Sequence, residues 1–233
     1  MVGAAPVSAP KSDRLLALLL DHDGTLVDSE SAHHLLWNEV LAPFGASITA
    51  LEYERDYAGL PALDNGAQAV ARFGLRATAQ DLAQAKFAAT RAYLQDKAFP
   101  LMPGVAAALA HWRSRFRLGV VTGARSFAVQ NSLQKHGLAE GFECVVSADD
   151  VARTKPDPAC YRLALQRMAL QPENVLAIED TAHGVDAATS AGLRCIAIPT
   201  ALSAQHDFSR ACVVLPSMAS AVDWIDREVL SRG

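Results

Sequence analysis

The chain of 233 residues is long enough to bury a sizeable core, as one large domain or as a domain carrying a smaller insertion. Apolar residues make up 51% and charged residues 20%, the balance of a folded globular chain and not of a disordered or fibrous one. A formal charge of -4 argues against general affinity for nucleic acid or anionic membrane, because both need clustered Lys and Arg, and leaves small-molecule chemistry as the expectation.

In chain order, the first dozen residues, MVGAAPVSAPKS, are small and proline-containing, with no basic start leading into a long apolar stretch. They read as a flexible leader and not as a signal peptide. The apolar run Leu15 to Leu20 follows, far shorter than the ~20 residues that cross a bilayer. It predicts a buried strand, and it runs directly into Asp21-His22-Asp23-Gly24-Thr25-Leu26-Val27-Asp28-Ser29. Two carboxylates, Asp21 and Asp23, thus leave one strand end together. Gly24-Thr25 supplies the tight backbone that brings amides near an anion. His22, between the two carboxylates, is expected to point away from them and to pack.

From Ser29 to Phe99 the sequence carries helical pattern and no convincing buried strand, so the segment reads as an insertion. Gly59-Leu60-Pro61 and Asp64-Asn65-Gly66 read as loops in its middle. Thr78 and Asp81 form a capping box, and Leu82, Ala85 and Ala89 continue one face of the helix it starts.

Beyond the insertion, Arg117 to Val121, Cys144 to Val146, Val175 to Ile178 and Arg194 to Ile198 are short apolar runs ending at polar residues, the rhythm of a parallel sheet. Val105, Leu109, Trp112 and Phe116, after Pro103-Gly104, predict a crossover helix. Val185, Ala188 and Ala191 predict another, closed by Gly192. The fold class is therefore α/β, a doubly wound parallel sheet with an inserted helical cap, whose ligands lie beyond the carboxyl ends of the strands. The expected boundaries are 13–28 and 100–233 for the core and 29–99 for the cap. Cys144, Cys160, Cys195 and Cys212 have neither CxxC spacing nor the density of a disulfide framework, and read as buried free thiols in a reducing cytoplasm.

The DxDGT pattern at Asp21 to Thr25 resembles the strand-end motif of the haloacid dehalogenase superfamily phosphatases, and three more motifs follow in the family's order. Thr122, with Gly123 beside it, ends the second run as the Ser/Thr motif does. Lys155, in Thr154-Lys155-Pro156-Asp157-Pro158, matches the lysine motif, and Glu179-Asp180 matches the acidic motif. The resemblance implies that Asp21 attacks phosphorus to form an aspartyl-phosphate, while Asp23 serves as general acid and then base. It implies that Thr122 and the Gly123 amide hold the phosphoryl group and that Lys155 neutralises charge, with Gly24 a further substrate-binding candidate through its tight backbone. It also implies a Mg²⁺ cofactor held by Asp21, the Asp23 carbonyl and Asp180, with Glu179 in or beside the shell. An ester bringing roughly two negative charges toward those carboxylates needs a cation, and Mg²⁺ prefers oxygen ligands.

The insertion resembles the helical cap of the β-phosphoglucomutase and phosphoglycolate phosphatase branch. His33 and Trp37 fall where mutase members carry a cap-entry His and a Trp, and Gly59 corresponds to the glycine of their substrate-recognition loop. Tyr57 would line or support that loop. The mutase loop continues to an arginine for a second phosphate, whereas here Leu60-Pro61-Ala62 follows, which favours simple hydrolysis. Arg55, Lys86 and Arg91 are the remaining cap cations considered, with helical surface charge as the expectation for each. The expected function is Mg²⁺-dependent hydrolysis of a small phosphorylated metabolite of sugar phosphate or phosphoglycolate type, by a monomer or weak homodimer. A sugar phosphomutase and a catalytically silent metabolite-binding regulator are the alternatives.

Overall fold

The computed structural model describes residues 14–231, so the expected leader over 1–12 lies outside the described residues. Each of the five apolar runs forms a strand: β1 (Ala17–Leu20), β2 (Arg117–Val121), β3 (Cys144–Val146), β4 (Val175–Glu179) and β5 (Arg194–Ala197). A sixth, β6 (Val213–Val214), joins them in one sheet of order β3-β2-β1-β4-β5-β6, with every pairing parallel. The order reverses across β1, which places a crevice outside the carboxyl ends of β1 and its neighbours.

Alternation along the strands explains why helices cover both faces. Leu18, Leu20, Leu118, Val120, Leu176, Ile178 and Ile196 face one way, toward α5 (Val105–Trp112), α6 (Ser126–Lys135) and α9 (Met218–Ser231). Leu19, Val121, Val146, Ala177, Cys195 and Ala197 face the other, toward α7 (Ala159–Met168) and α8 (Ala182–Ser190). This is the expected doubly wound arrangement. Gly192, at a φ of 91°, closes α8: its amide donates to Thr189 O and that of Leu193 to Ala188 O. Phe116 lies beyond the end of α5 but remains in the same apolar layer.

Four helices fill the insertion: α1 (Ser29–Leu41), α2 (Ala50–Asp56), α3 (Ala62–Phe73) and α4 (Ala79–Asp96). Their own core is built on Trp37, Leu41, Ile48, Tyr53, Tyr57, Ala69 and Leu82. Asp28 caps α1 by accepting from the Ser31 amide, and the Thr78–Asp81 capping box starts α4 as expected. No described helix is long and apolar enough to cross a membrane.

Several expectations are corrected. Asp64-Asn65-Gly66 is not a loop but lies in the first half of α3. Gly66 is there for packing, since a Cβ would overlap the Ala79 carbonyl at the start of α4, and Asn65 turns inward to donate to Tyr57 O at 2.9 Å. The buried face of α4 runs through Leu82, Lys86 and Leu94, while Ala85 is exposed. Among the cysteines, which are all free, Cys144, Cys160 and Cys195 are buried as expected but Cys212 is exposed beside the edge strand β6.

Candidate active site

Parallel register brings the motif residues together. Leu20 pairs with both Val120 and Ile178, so Asp21, Thr122 and Glu179-Asp180 emerge side by side at one end of the sheet. The Asp21 amide donates to Ile178 O at 3.0 Å, and the Thr122 amide donates to Val146 O at 2.9 Å. Thr122 is buried, and its Oγ1 accepts from the Ala124 amide at 3.0 Å, which turns the chain after β2.

Lys155 enters from the loop between β3 and α7. Its Nζ lies 2.6 Å from Asp21 Oδ1 and 2.6 Å from Glu179 Oε1, and donates to Val121 O at 2.8 Å. The buried Tyr161 hydroxyl on α7 also donates to Glu179 Oε1, at 2.5 Å. Burial disfavours the Lys155 charge, yet Asp21 and Glu179 outweigh it and hold the ammonium well above the ordinary lysine range. Burial pushes Glu179 up, with Lys155 opposing and Asp21 adding to the shift. Asp180 is pushed up by burial and then by the charges of Asp21 and Glu179.

Lys155 alone does not satisfy this cluster. Asp21, Glu179 and Asp180 offer carboxylate oxygens that all lie within 4.8 Å of one another. Glu179 Oε2 and Asp180 Oδ1 are buried with no hydrogen-bond partner among the described residues. An all-oxygen donor set with orphaned buried anionic atoms fits a hard divalent cation. Two glycines hold it in place. A Cβ on Gly24, which has a φ of 77°, would overlap the Asp180 carboxylate, and one on Gly184 would overlap that of Glu179. The Gly24 amide donates to Val27 O at 2.8 Å, and the missing side chain leaves space for the cluster.

Asp23 sits between this cluster and the cap. His22 is fully buried, but it does not turn away as expected: its Nδ1 is 3.3 Å from Asp23 Oδ1. Burial alone would raise the Asp23 carboxyl, but His22, Ser29 and His33 outweigh it and hold it at about 2. Asp23 opens into a cleft of about 620 Å³ between cap and core, where His33, Trp37, Gly59, Lys86, Gly123 and Phe127 are among the lining residues. His33, Trp37, Gly59 and Gly123 thus lie together on the wall of one cleft. Tyr57 does not line the cleft; it is buried behind the loop, stacked 6.5 Å from Tyr53.

Of the three cap cations, Arg55 is exposed and paired with Asp56 at 2.7 Å, and Arg91 lies over the Phe127 ring. Lys86 departs from the surface expectation. Only 5% exposed, it points into the cleft, 3.1 Å from His33 Nδ1 and from Thr90 Oγ1 and 5.9 Å from the centre of the Trp37 ring. Sequence reasoning passed over Glu30, Tyr53, Tyr161 and Gly184. Glu30 and Tyr53 line the same cleft, and Tyr161 and Gly184 brace Glu179. A lysine on an apolar helix face, four residues after Leu82, is the signal that identifies Lys86. Glu30 carries no such mark.

Fold and cluster define a capped α/β domain with a lysine-bridged acidic centre. The chain belongs to the haloacid dehalogenase-like hydrolase family, whose sequence model matches residues 18–198, and it is a phosphoric monoester hydrolase within it. It is 32% identical over 214 residues to the protein CbbY of Cereibacter sphaeroides, covering 87% of this chain and 92% of that one. It is 33% identical over 187 residues to the fructose-1-phosphate phosphatase YqaB of Escherichia coli K12, covering 78% and 95%. The crystal structure of CbbY from Rhodobacter sphaeroides in complex with phosphate superposes with a TM-score of 0.71 at 31% identity, covering 88% of this chain and 95% of that one.

Proposed function

We propose that the enzyme is a Mg²⁺-dependent phosphatase that hydrolyses a small phosphorylated metabolite, of sugar phosphate or phosphoglycolate type, through an aspartyl-phosphate on Asp21. The observation that carries this reading is Lys155 bridging Asp21 and Glu179 at 2.6 Å each, beside Asp180 and below a cleft that Asp23 lines. In this reading residues 29–99 form the cap domain over a core of 13–28 and 100–233, and the free thiols support a reducing, cytoplasmic setting. Relatives point the same way: one is a fructose-1-phosphate phosphatase and another a phosphoglycolate phosphatase.

Asp21, Glu179, Asp180 and the Asp23 backbone carbonyl would hold Mg²⁺, which when bound supplies neutralisation of the charge on the phosphate. Lys155 fixes Asp21 through Oδ1 and reduces the repulsion that an arriving dianion meets. The Asp21 carboxylate forms the new bond to phosphorus as the ester P–O bond breaks. Thr122 and the Gly123 backbone would steady the phosphoryl oxygens. Asp23 protonates the departing alkoxide. In the free site Asp23 is a carboxylate, held at about 2, so it acquires this proton as the ester's negative charge arrives beside it and raises its affinity for protons. It then takes a proton from water, the water oxygen bonds to phosphorus, and the bond to Asp21 breaks. The cap limits the leaving group to what the cleft admits.

A panel of phosphorylated metabolites, assayed for phosphate release with Mg²⁺ and with EDTA, tests the proposal. Release from at least one small monoester only with Mg²⁺ is expected. Metal-independent release, or conversion of a sugar 1-phosphate to a 6-phosphate without release, would contradict it.

A further inference from the structure

The leaving-group side of the cleft holds a half-buried carboxyl group that the phosphatase chemistry does not use. Glu30 is in the first turn of α1, and its Oε2 accepts a hydrogen bond from the Tyr53 hydroxyl at 2.7 Å. Tyr53 is buried in the cap core, stacked on Tyr57, so the carboxylate is clamped from behind. Among the described residues no cation comes within ion-pair distance of Glu30, although Lys86 lines the same cleft. Burial pushes Glu30 up, while the Tyr53 bond opposes that shift.

The charges around this carboxylate are few: Asp23 is a second anion on the same cleft and adds to the upward push on Glu30. Lys86 is the buried cation of the cleft, and its nearby partners are neutral: Thr90 and His33, which burial and Lys86 push to about 4. Arg125 lies at the mouth but is engaged with Asp149 at 2.7 Å. The opposite edge, Leu60-Pro61-Ala62, carries no charge. Lys86 is therefore outnumbered by Glu30 and Asp23, and the cleft has no net positive charge left for a second substrate anion.

A donor and an acceptor side by side call for a group able to play both parts. A hydroxyl donates and accepts, whereas a carboxylate or phosphate at neutral pH accepts only. A carboxylate or second phosphate placed beside Glu30 would meet a like charge and be repelled. From this charge layout, and resting on the phosphatase reading above, we infer that Glu30, clamped by Tyr53, selects phosphate monoesters of neutral polyhydroxylated molecules. It accepts from a leaving-group hydroxyl that Lys86 also contacts, and it rejects leaving groups carrying a carboxylate or a second phosphate.

The test compares kcat/KM for glucose 6-phosphate, sorbitol 6-phosphate, propyl phosphate, phosphoglycolate and fructose 1,6-bisphosphate in wild type and Glu30→Gln. Wild type is expected to favour the better hexose or polyol monophosphate by about tenfold or more over phosphoglycolate and the bisphosphate, a discrimination of the size a few polar contacts provide. Glu30→Gln keeps the size of the side chain and an acceptor for Tyr53, and is expected to reduce that ratio by about tenfold or more, since hydrogen bonds to charged groups are the stronger kind. If Glu30→Gln lowers the unfolding temperature substantially, Tyr53→Phe, which frees the carboxylate from its clamp, is read in the same way and is expected to reduce the ratio. A wild-type preference for phosphoglycolate or the bisphosphate would overturn the inference, as would an unchanged ratio in the folded variant. Phosphate release without this selectivity contradicts the Glu30 role alone. No Mg²⁺-dependent release from any probe contradicts the phosphatase reading and the inference with it.

Discussion

Lys155 Nζ and Asp21 Oδ1 stand 2.6 Å apart, and the lysine side chain that joins them is only 10% exposed. The same ammonium reaches Glu179, so removing it leaves two buried carboxylates facing each other. Lys155→Met is expected to lower kcat by at least about a hundredfold, the scale of losing one preorganised electrostatic contact. It should also destabilise the fold by roughly 3–5 kcal/mol, because a buried charge loses its partner. Lys155→Arg is not expected to restore turnover, since a planar fork cannot occupy the place of a compact ammonium donating in three directions. Steady-state kinetics with urea unfolding check both effects.

Tyr161 acts one shell further out. Tyr161→Phe removes the 2.5 Å hydrogen bond to Glu179 Oε1 while keeping the ring in its packing site. A partner of a metal-binding carboxylate typically affects metal affinity by about 10–100-fold, so half-maximal activation should require that much more Mg²⁺. The kcat at saturating Mg²⁺ should change far less. A Mg²⁺ titration of phosphate release distinguishes this from a general loss of activity.

Gly184 tests whether Glu179 must stay where it is. Gly184→Ala introduces a Cβ into the space of the Glu179 carboxylate, in the first turn of α8, where the backbone cannot yield without moving the helix. Activity should fall by more than about tenfold and stability by about 1–3 kcal/mol, the range for overpacking. Gly141→Ala, where nothing lies within 4 Å of the added methyl, is the matched control and should behave as wild type. Calorimetry and kinetics on the two variants supply the comparison.

Lys86 gives the fold a pH signature. Burial lowers its pKa from 10.5 to about 8, against the pull of Glu30. Below pH 8 both folded and unfolded chains carry the proton, and the folded state bears the full cost of a buried charge. Between about 8 and 10.5 the unfolded chain binds more protons than the folded one, so stability contributed by this residue rises with pH across that window. Lys86→Met should be more stable than wild type below pH 8 by roughly 2–4 kcal/mol and should lack the rise. Urea unfolding of the two proteins from pH 7 to beyond 10 measures the difference.

The parts of this molecule legible in the sequence are those governed by local pattern. The runs ending at Leu20, Val121 and Ile178 are strands because their apolar side chains meet helices on both faces, and the places of Asp21, Thr122 and Glu179-Asp180 follow from where those runs stop. Strand β6 was not legible: two residues at a sheet edge, one of them 51% exposed, leave no buried run to detect. Gly66 misled because a packing glycine in a helix and a turn glycine look alike until the neighbouring helix is in place. Glu30 and Lys86 were hidden for a related reason. Charged residues on cap helices normally face water, and the contacts that hold these two in the cleft, Tyr53 to Glu30 and His33 to Lys86, join residues far apart in the sequence.

The central claim is that Asp21 carries the phosphoryl group. Acid-quenching the enzyme during turnover of its best substrate with Mg²⁺, followed by peptide mass spectrometry, tests this most directly. The account predicts one added phosphoryl mass on the peptide containing Asp21, lost on treatment with hydroxylamine, and no adduct or phosphate release in Asp21→Asn. Phosphate release by Asp21→Asn at the wild-type rate, or an adduct on a different residue, would contradict it.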